Sequence, residues 1–286
     1  MSTAPSPLRY PGGKAAIFDM VSKIIVDNGL EDGDYAEPYA GGAGLALTLL
    51  FNDLVSTIHL NDLDRSIWCF WDAVLNHTEA FIEKIRTTEV TMDEWHKQRH
   101  IQQNKDMFPD FELAFSSFFL NRTNRSGIIL KAGVIGGLNQ DGKYKLDCRY
   151  NKEGLIERIT RVSEYRHRIK LYNLDAIDFI KKLDSTLSSN SLFCIDPPYF
   201  VKGSTLYTNF YNPEDHQQLA DLIMSLNHSW ILTYDDAEQI QNLYESHPQY
   251  KFSLNYFAAK KRKGTELLIT SKNIGICPTL ELDDVA

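Results

Sequence analysis

Two hydrophobic rhythms alternate over the first sixty-odd positions of the chain. In AAIFDMVSKII the apolar residues Ile17, Met20, Val21, Ile24 and Ile25 recur every three or four positions, which predicts an amphipathic helix. The LRYPGGK before it predicts a loop, with Pro11-Gly12-Gly13 forcing a turn. DYAEPYAGGAGLALTLLF then predicts a short strand, a glycine-rich turn and a helix, and TIHLNDLD a strand that ends in polar residues. This is the opening of an α/β pattern with a parallel sheet. From about Ser66 to Tyr165 the strand signals fade. SIWCFWDAVLN, EAFIEKIRT, MDEWHKQRHIQQ and FELAFSSFFLNR all predict helices. A stretch rich in glycine and basic residues, SGIILKAGVIGGLNQDGKYKLDCRYN, separates them from one more, EGLIERITRVSEYRHR. The first rhythm resumes with IKLYN, DAIDFIKKL, SLFCIDPPY, EDHQQLADLIMSL, WILTYDD and AEQIQNLYES, followed by a β-rich tail around KFSLNYF and ELLITS.

The order predicts one α/β domain with a mostly parallel sheet, residues 1–65 and 166–286, interrupted by a mainly helical insert, residues 66–165. Length agrees, since 286 residues are long for one domain and suit one domain plus an insertion. The N-terminus lacks the basic and apolar regions of a secretory signal. Apolar runs such as GLALTLLF are far too short to span a bilayer. Cys69, Cys148, Cys194 and Cys277 are scattered without metal-ligand spacing, so no metal site is expected and the thiols read as reduced and structural, in a cytoplasmic protein.

Charge changes the picture. The net −8 argues against indiscriminate polyanion binding, yet residues 121–170 hold twelve Lys/Arg against five acids, a local +7 that leaves −15 elsewhere. A basic segment on an acidic body fits a localised polyanion contact, and a solvated, salt-bridged helix face is the alternative.

Three short stretches could carry chemistry. In Glu37-Pro38-Tyr39-Ala40-Gly41-Gly42-Ala43-Gly44, glycines between a strand and a helix let a ligand approach the backbone and leave helix N–H groups available. The spacing is not that of a dinucleotide fingerprint, and Glu37 would repel a pyrophosphate. A nicotinamide-dependent dehydrogenase is disfavoured on both counts. Asn61-Asp62-Leu63-Asp64 ends the next strand about twenty residues on, where an acid accepts hydrogen bonds from ribose hydroxyls. Asp196-Pro197-Pro198-Tyr199 stops the apolar run SLFCI abruptly. A carboxylate and a proline carbonyl can each accept one hydrogen bond from an exocyclic amine, aligning its lone pair, while the tyrosine offers a flat face to a base.

The order RYPGGK, EPYAGGAG, NDLD and DPPY, with FFLNRT, LYTNFY and TELLIT between and after them, resembles the Dam-type DNA adenine methyltransferases over most of the chain. The resemblance implies a Rossmann-like class I methyltransferase domain carrying an inserted target-recognition domain. It implies transfer of a methyl group from S-adenosylmethionine to the N6 amine of an adenine flipped out of double-stranded DNA. Carried over residue by residue, it gives Tyr10, Lys14, Glu37, Pro38, Gly41, Asp62, Asp175 and Asp196 to the cofactor, and Asp196, Pro197, Pro198 and Tyr199 to catalysis. Arg122, Asn124 and Arg125 in NRTNRSG become candidate DNA contacts, with Lys260–Lys263 as a second phosphate contact. Neither a membrane nor an obligate protein partner is implied. Ala43 stands where the best-known members have the second glycine of Gly-x-Gly. GGLNQDGKYKLDCRYN does not match the stretch that reads GATC, so the target site is not transferred. Companion of a restriction enzyme, phage protection and epigenetic marking all stay open. The alternatives are transfer to cytosine N4 or to a protein amide, whose enzymes carry Ser or Asn in place of Asp196, and a catalytically idle DNA-binding protein on the same fold.

Overall fold

The helices and strands read from the sequence form in the computed structural model, which describes residues 5–9, 14–200, 211–257, 261–277, 280 and 282–285. Tyr10, the Pro11-Gly12-Gly13 turn, Lys260 and all of LYTNFY except Tyr211 lie outside the described residues. The chain divides into two units. One comprises residues 1–15, 41–47 and 62–173, the other residues 16–40, 48–61 and 174–286.

The second unit is built on a sheet. Its strands are β1 (Asp34–Glu37), β2 (Thr57–Asn61), β4 (Leu192–Ile195), β5 (Ser229–Asp235), β6 (Gln249–Phe257), β7 (Lys261–Thr270) and β8 (Asp283–Asp284); β3 (Ile169–Tyr172) belongs to the other unit. Within the unit they lie in the order β2-β1-β4-β5-β7-β6-β8. The ladders β1/β2, β1/β4 and β4/β5 are parallel, and β5/β7, β6/β7 and β6/β8 are antiparallel. Five of these seven strands, β2, β1, β4, β5 and β6, therefore run in one direction, the Rossmann-like, mostly parallel architecture expected. Strands covered on both faces read as continuous apolar runs. Accordingly every residue of LFCI in β4 and of SWILTYD in β5 is buried. Helix α1 (Phe18–Asp27) buries Val21, Ile24 and Ile25, the stripe its spacing predicts, and α2 (Gly44–Phe51) follows the glycine-rich turn.

The first unit is helical: α3 (Arg65–Asn76), α4 (Thr78–Thr87), α5 (Met92–Gln103), α6 (Asp110–Thr123) and α7 (Lys152–Glu164). Helix α6 is buried on every side from Leu113 to Thr123. Its rings join those of α3 and α4, with Phe70 and Phe118 stacked at 6.0 Å and Phe81 edge-on to Phe118 at 5.7 Å. A wholly buried helix must satisfy its polar side chains internally. The amide of Gln102 does this, donating to the hydroxyls of Ser116 (2.7 Å) and Ser117 (2.8 Å) and accepting from Ser66 (3.0 Å).

Candidate active site

In the second unit β1 pairs with β2 on one side and β4 with β5 on the other, so the strand order reverses between β1 and β4. Open α/β sheets bind ligands beyond the carboxyl ends of the strands at such a switch point. Strand β1 ends in Glu37 and β4 runs straight into Asp196. Glu37 is 7 % exposed and accepts a hydrogen bond from the Tyr35 hydroxyl at 3.0 Å. Burial holds that phenol's pKa well above its usual value, which keeps it a donor.

Register decides what flanks Asp196. Ile195 pairs with Leu232, which puts Thr233 beside Asp196, and the Thr233 hydroxyl donates to Asp196 Oδ1 at 2.9 Å. Pro197 and Pro198 follow, both buried and both without a backbone N–H. Tyr199 is 7 % exposed, and its hydroxyl donates to Glu266 on β7. The Phe200 N–H donates to Asp235 Oδ1 at 2.9 Å. Beside this loop the Tyr39 and Tyr211 hydroxyls share a 2.8 Å hydrogen bond. His216 packs against Phe200 (5.1 Å) and Tyr211 (5.5 Å), with Nδ1 2.7 Å from the Tyr234 hydroxyl. Burial pushes the His216 pKa down, against the pull of Asp235 and Asp215, which favours the neutral imidazole.

Asn61 joins two more of the expected residues to this region. Its amide donates to the Pro38 carbonyl (2.9 Å) and the Leu174 carbonyl (3.0 Å) and accepts from the Leu174 N–H (2.9 Å). That fixes the turn after Glu37 next to the segment entering Asp175. The Asp175 carboxylate caps α8 (Ala176–Asp184), accepting from the Ile177 N–H at 2.9 Å.

In the helical unit, Gly41 and Asp62 are in direct contact. The Gly41 N–H donates to Asp62 Oδ2 at 3.0 Å, and the Asp64 N–H to Oδ1 at 2.9 Å. Burial pushes the Asp62 carboxyl up to about 7, against the pull of these two N–H groups and of the Lys105 charge. The Trp71 indole donates to the Gly41 carbonyl at 2.9 Å. Lys14, 8 % exposed, opens the 3-10 turn Lys14–Ile17.

The three proposed DNA contacts occupy different surroundings. Arg122 is buried and donates to the carbonyls of Arg149 (2.8 Å) and Pro7 (3.4 Å). Burial, with Arg9, Arg158 and Arg149 nearby, pushes its pKa down to about 10. Asn124 is fully buried, accepting from the Trp95 indole (2.8 Å) and donating to the carbonyls of Ile128 (3.0 Å) and Ile129 (2.7 Å). Arg125 is exposed. Thr233, Asp235 and Glu266 were given no role from the sequence. The signal for Glu266 was an acid inside the apolar run TELLIT, because a buried carboxylate needs a donor. Among the described residues no group of three or more His, Cys, Asp and Glu could hold a metal ion, and no helix is long and apolar enough to cross a membrane.

None of the curated proteins matches the chain. Two of the solved structures it resembles are a protein of Pyrococcus horikoshii described as an RNA methyltransferase and a SAM-dependent methyltransferase of Agrobacterium tumefaciens. The first is 10 % identical with a TM-score of 0.43, over 98 % of this chain and 87 % of that one. The second is 9 % identical with a TM-score of 0.41, over 91 % of this chain and 62 % of the other, less than two thirds of its length. A family model described as D12 class N6 adenine-specific DNA methyltransferase matches residues 10–262. The chain belongs to that family, and it is an enzyme that methylates DNA at adenine N6 with S-adenosylmethionine as donor.

Proposed function

We propose that Asp196, Pro197, Pro198 and Tyr199 form the catalytic loop and act on an adenine flipped out of double-stranded DNA. The observation that carries this is the Asp196 carboxylate at the end of β4, oriented by Thr233 at the strand-order reversal. The Asp196 carboxylate and the Pro197 carbonyl accept the two N6 hydrogens, turning the nitrogen lone pair toward the methyl group. Asp196 also compensates the positive charge that grows on nitrogen as the new bond forms. The Tyr199 ring stacks on the base, and the two prolines keep the loop in one conformation, so orientation is achieved before the substrate arrives.

Gly41, Asp62, Lys14, Glu37, Pro38 and Asp175 serve the cofactor in this reading, with Tyr10. The donor set suits it: Asp62 is an acceptor for ribose hydroxyls, and Glu37 a buried carboxylate for a cationic amine. When bound, S-adenosylmethionine supplies a methyl group already activated by its sulfonium, so no nucleophilic side chain is required. Residues 66–165 form the target-recognition part, with Arg125 on phosphate.

Incubation with methyl-labelled S-adenosylmethionine and unmethylated duplex DNA, followed by nucleoside identification, tests the assignment. Label should appear in N6-methyladenine and disappear with Asp196→Ala. Label in cytosine, or full activity of Asp196→Ala, refutes it.

A further inference from the structure

Asp235 on β5 and Glu266 on β7 are direct cross-strand partners, 8 % and 1 % exposed. Two carboxylates facing each other across an antiparallel ladder repel, so their juxtaposition costs stability unless donors hold them. Both accept from the catalytic loop: Asp235 from the Phe200 N–H (2.9 Å), Glu266 from the Tyr199 hydroxyl. The loop is thus fixed at its head by Thr233 on Asp196 and at its tail by two adjacent acids. The Phe200 ring rests on His216, tied to β5 through Tyr234.

We propose that Glu266 is a positioning residue for methyl transfer: with Asp235 it forms a two-carboxylate receptor that clamps the loop and sets the plane of the Tyr199 ring against the flipped base. This rests on the reading of Tyr199 as the stacking face. A carboxylate suits the task because it only accepts, whereas a tyrosine hydroxyl has a single proton to give. With that proton directed at Glu266, Tyr199 acts through its ring and not as an acid.

The test is a double-mutant cycle of Tyr199→Phe and Glu266→Leu, with Glu266→Gln as the conservative variant. Methyl transfer to unmethylated duplex DNA, calorimetric affinity for S-adenosylmethionine and thermal denaturation are measured throughout. Glu266→Leu should lower kcat at least tenfold with cofactor affinity unchanged. Glu266→Gln, which keeps an acceptor oxygen, should stay within threefold of the wild type. The double variant should be no slower than the slower single variant, and the two losses in Tm should not add. Losses that multiply in kcat and add in Tm overturn the clamp, as does an unaffected Glu266→Leu. If the wild type methylates no adenine, the reading of the reaction fails by itself, and the Tm cycle still decides whether Glu266 and Tyr199 are coupled. Should the leucine variant not fold, Glu266→Gln, which preserves size and an acceptor oxygen, carries the test: a tenfold loss of kcat at unchanged Tm overturns the clamp, and activity within threefold that Tyr199→Phe lowers supports it.

Discussion

At Ala43 the backbone φ is +47°, in the left-handed region that side chains with a Cβ resist by about 1–2 kcal/mol. This is the position where the best-known relatives have glycine, so the sequence departure coincides with a conformational demand. Glycine would relieve the steric cost, but it would lose about 0.5–1 kcal/mol of chain entropy and the contacts of a methyl that is 2 % exposed. Ala43→Gly is therefore expected to leave Tm within about 2 °C of the wild type. Ala43→Val, β-branched in the same conformation, should lower it by several times that amount in differential scanning calorimetry. Asp62 makes a second prediction at this scale. Its carboxyl, pushed up to about 7 by burial, is half protonated near neutral pH, and a protonated carboxyl loses an acceptor for ribose hydroxyls. A folded-state pKa raised this far means that the binding-competent, charged form is depleted as pH falls. Titration calorimetry from pH 8.5 to 5.5 should show the Kd for S-adenosylmethionine rising as pH drops through about 7, approaching tenfold per unit below it. Asp62→Asn should bind more weakly at high pH and show no such slope; an unchanged slope would assign the proton to another group.

At the scale of elements, α6 acts as the anchor of the N-terminal segment. The Asn121 amide donates to the carbonyls of Arg9 and Gly127, both at 2.8 Å, and accepts from the Arg9 N–H at 2.8 Å. Arg158 donates to the Ser6 carbonyl at 3.3 Å, and Arg9 returns a bond to the Asn124 carbonyl at 3.1 Å. Gly127, at φ +77°, closes the far side: a Cβ there would lie 2.2 Å from the Arg9 carbonyl oxygen. Asn121→Ala removes three hydrogen bonds and strands the Arg9 backbone groups, so chemical denaturation should record a loss of about 3 kcal/mol. Because the segment leads to Lys14, cofactor affinity should fall in the same variant. None of this was legible locally. FFLNRTNRSG predicts a helix end and a basic loop, and only the fold brings Arg9 to Asn121, 112 positions away. The catalytic loop is the opposite case: Asp196 to Tyr199 are contiguous, so their chemistry reads directly. Their supports do not, since Thr233 lies 37 residues from Asp196 and Glu266 lies 67 from Tyr199.

For the whole molecule, charge is the property that sequence and structure apportion differently. The alternation of strand and helix patterns was enough to foresee a mostly parallel sheet with helices, because each element declares itself through its own periodicity. Insertion of β7 between β5 and β6 was not readable, since pairing order depends on contacts that local patterning does not encode. The +7 of residues 121–170 was equally visible, but a count of charges does not tell which of them face a polyanion. Arg122 and Arg158 donate to backbone carbonyls of the N-terminal segment, whereas Arg125 is exposed. A buried guanidinium and an exposed one fail differently when removed. Arg122→Ala strips charged hydrogen bonds from the Arg149 and Pro7 carbonyls, so it should cost about 2–3 kcal/mol of stability. Arg125→Ala should leave Tm unchanged and weaken DNA binding. A cation on phosphate contributes about −0.9 to the slope of log K against log salt. Binding isotherms on duplex DNA at several salt concentrations should therefore show that slope flattening by about one in Arg125→Ala. A slope equal to the wild type's would remove Arg125 from the phosphate contacts and move the search to other exposed cations of the segment, among them Lys131, Lys143, Lys145 and Arg149.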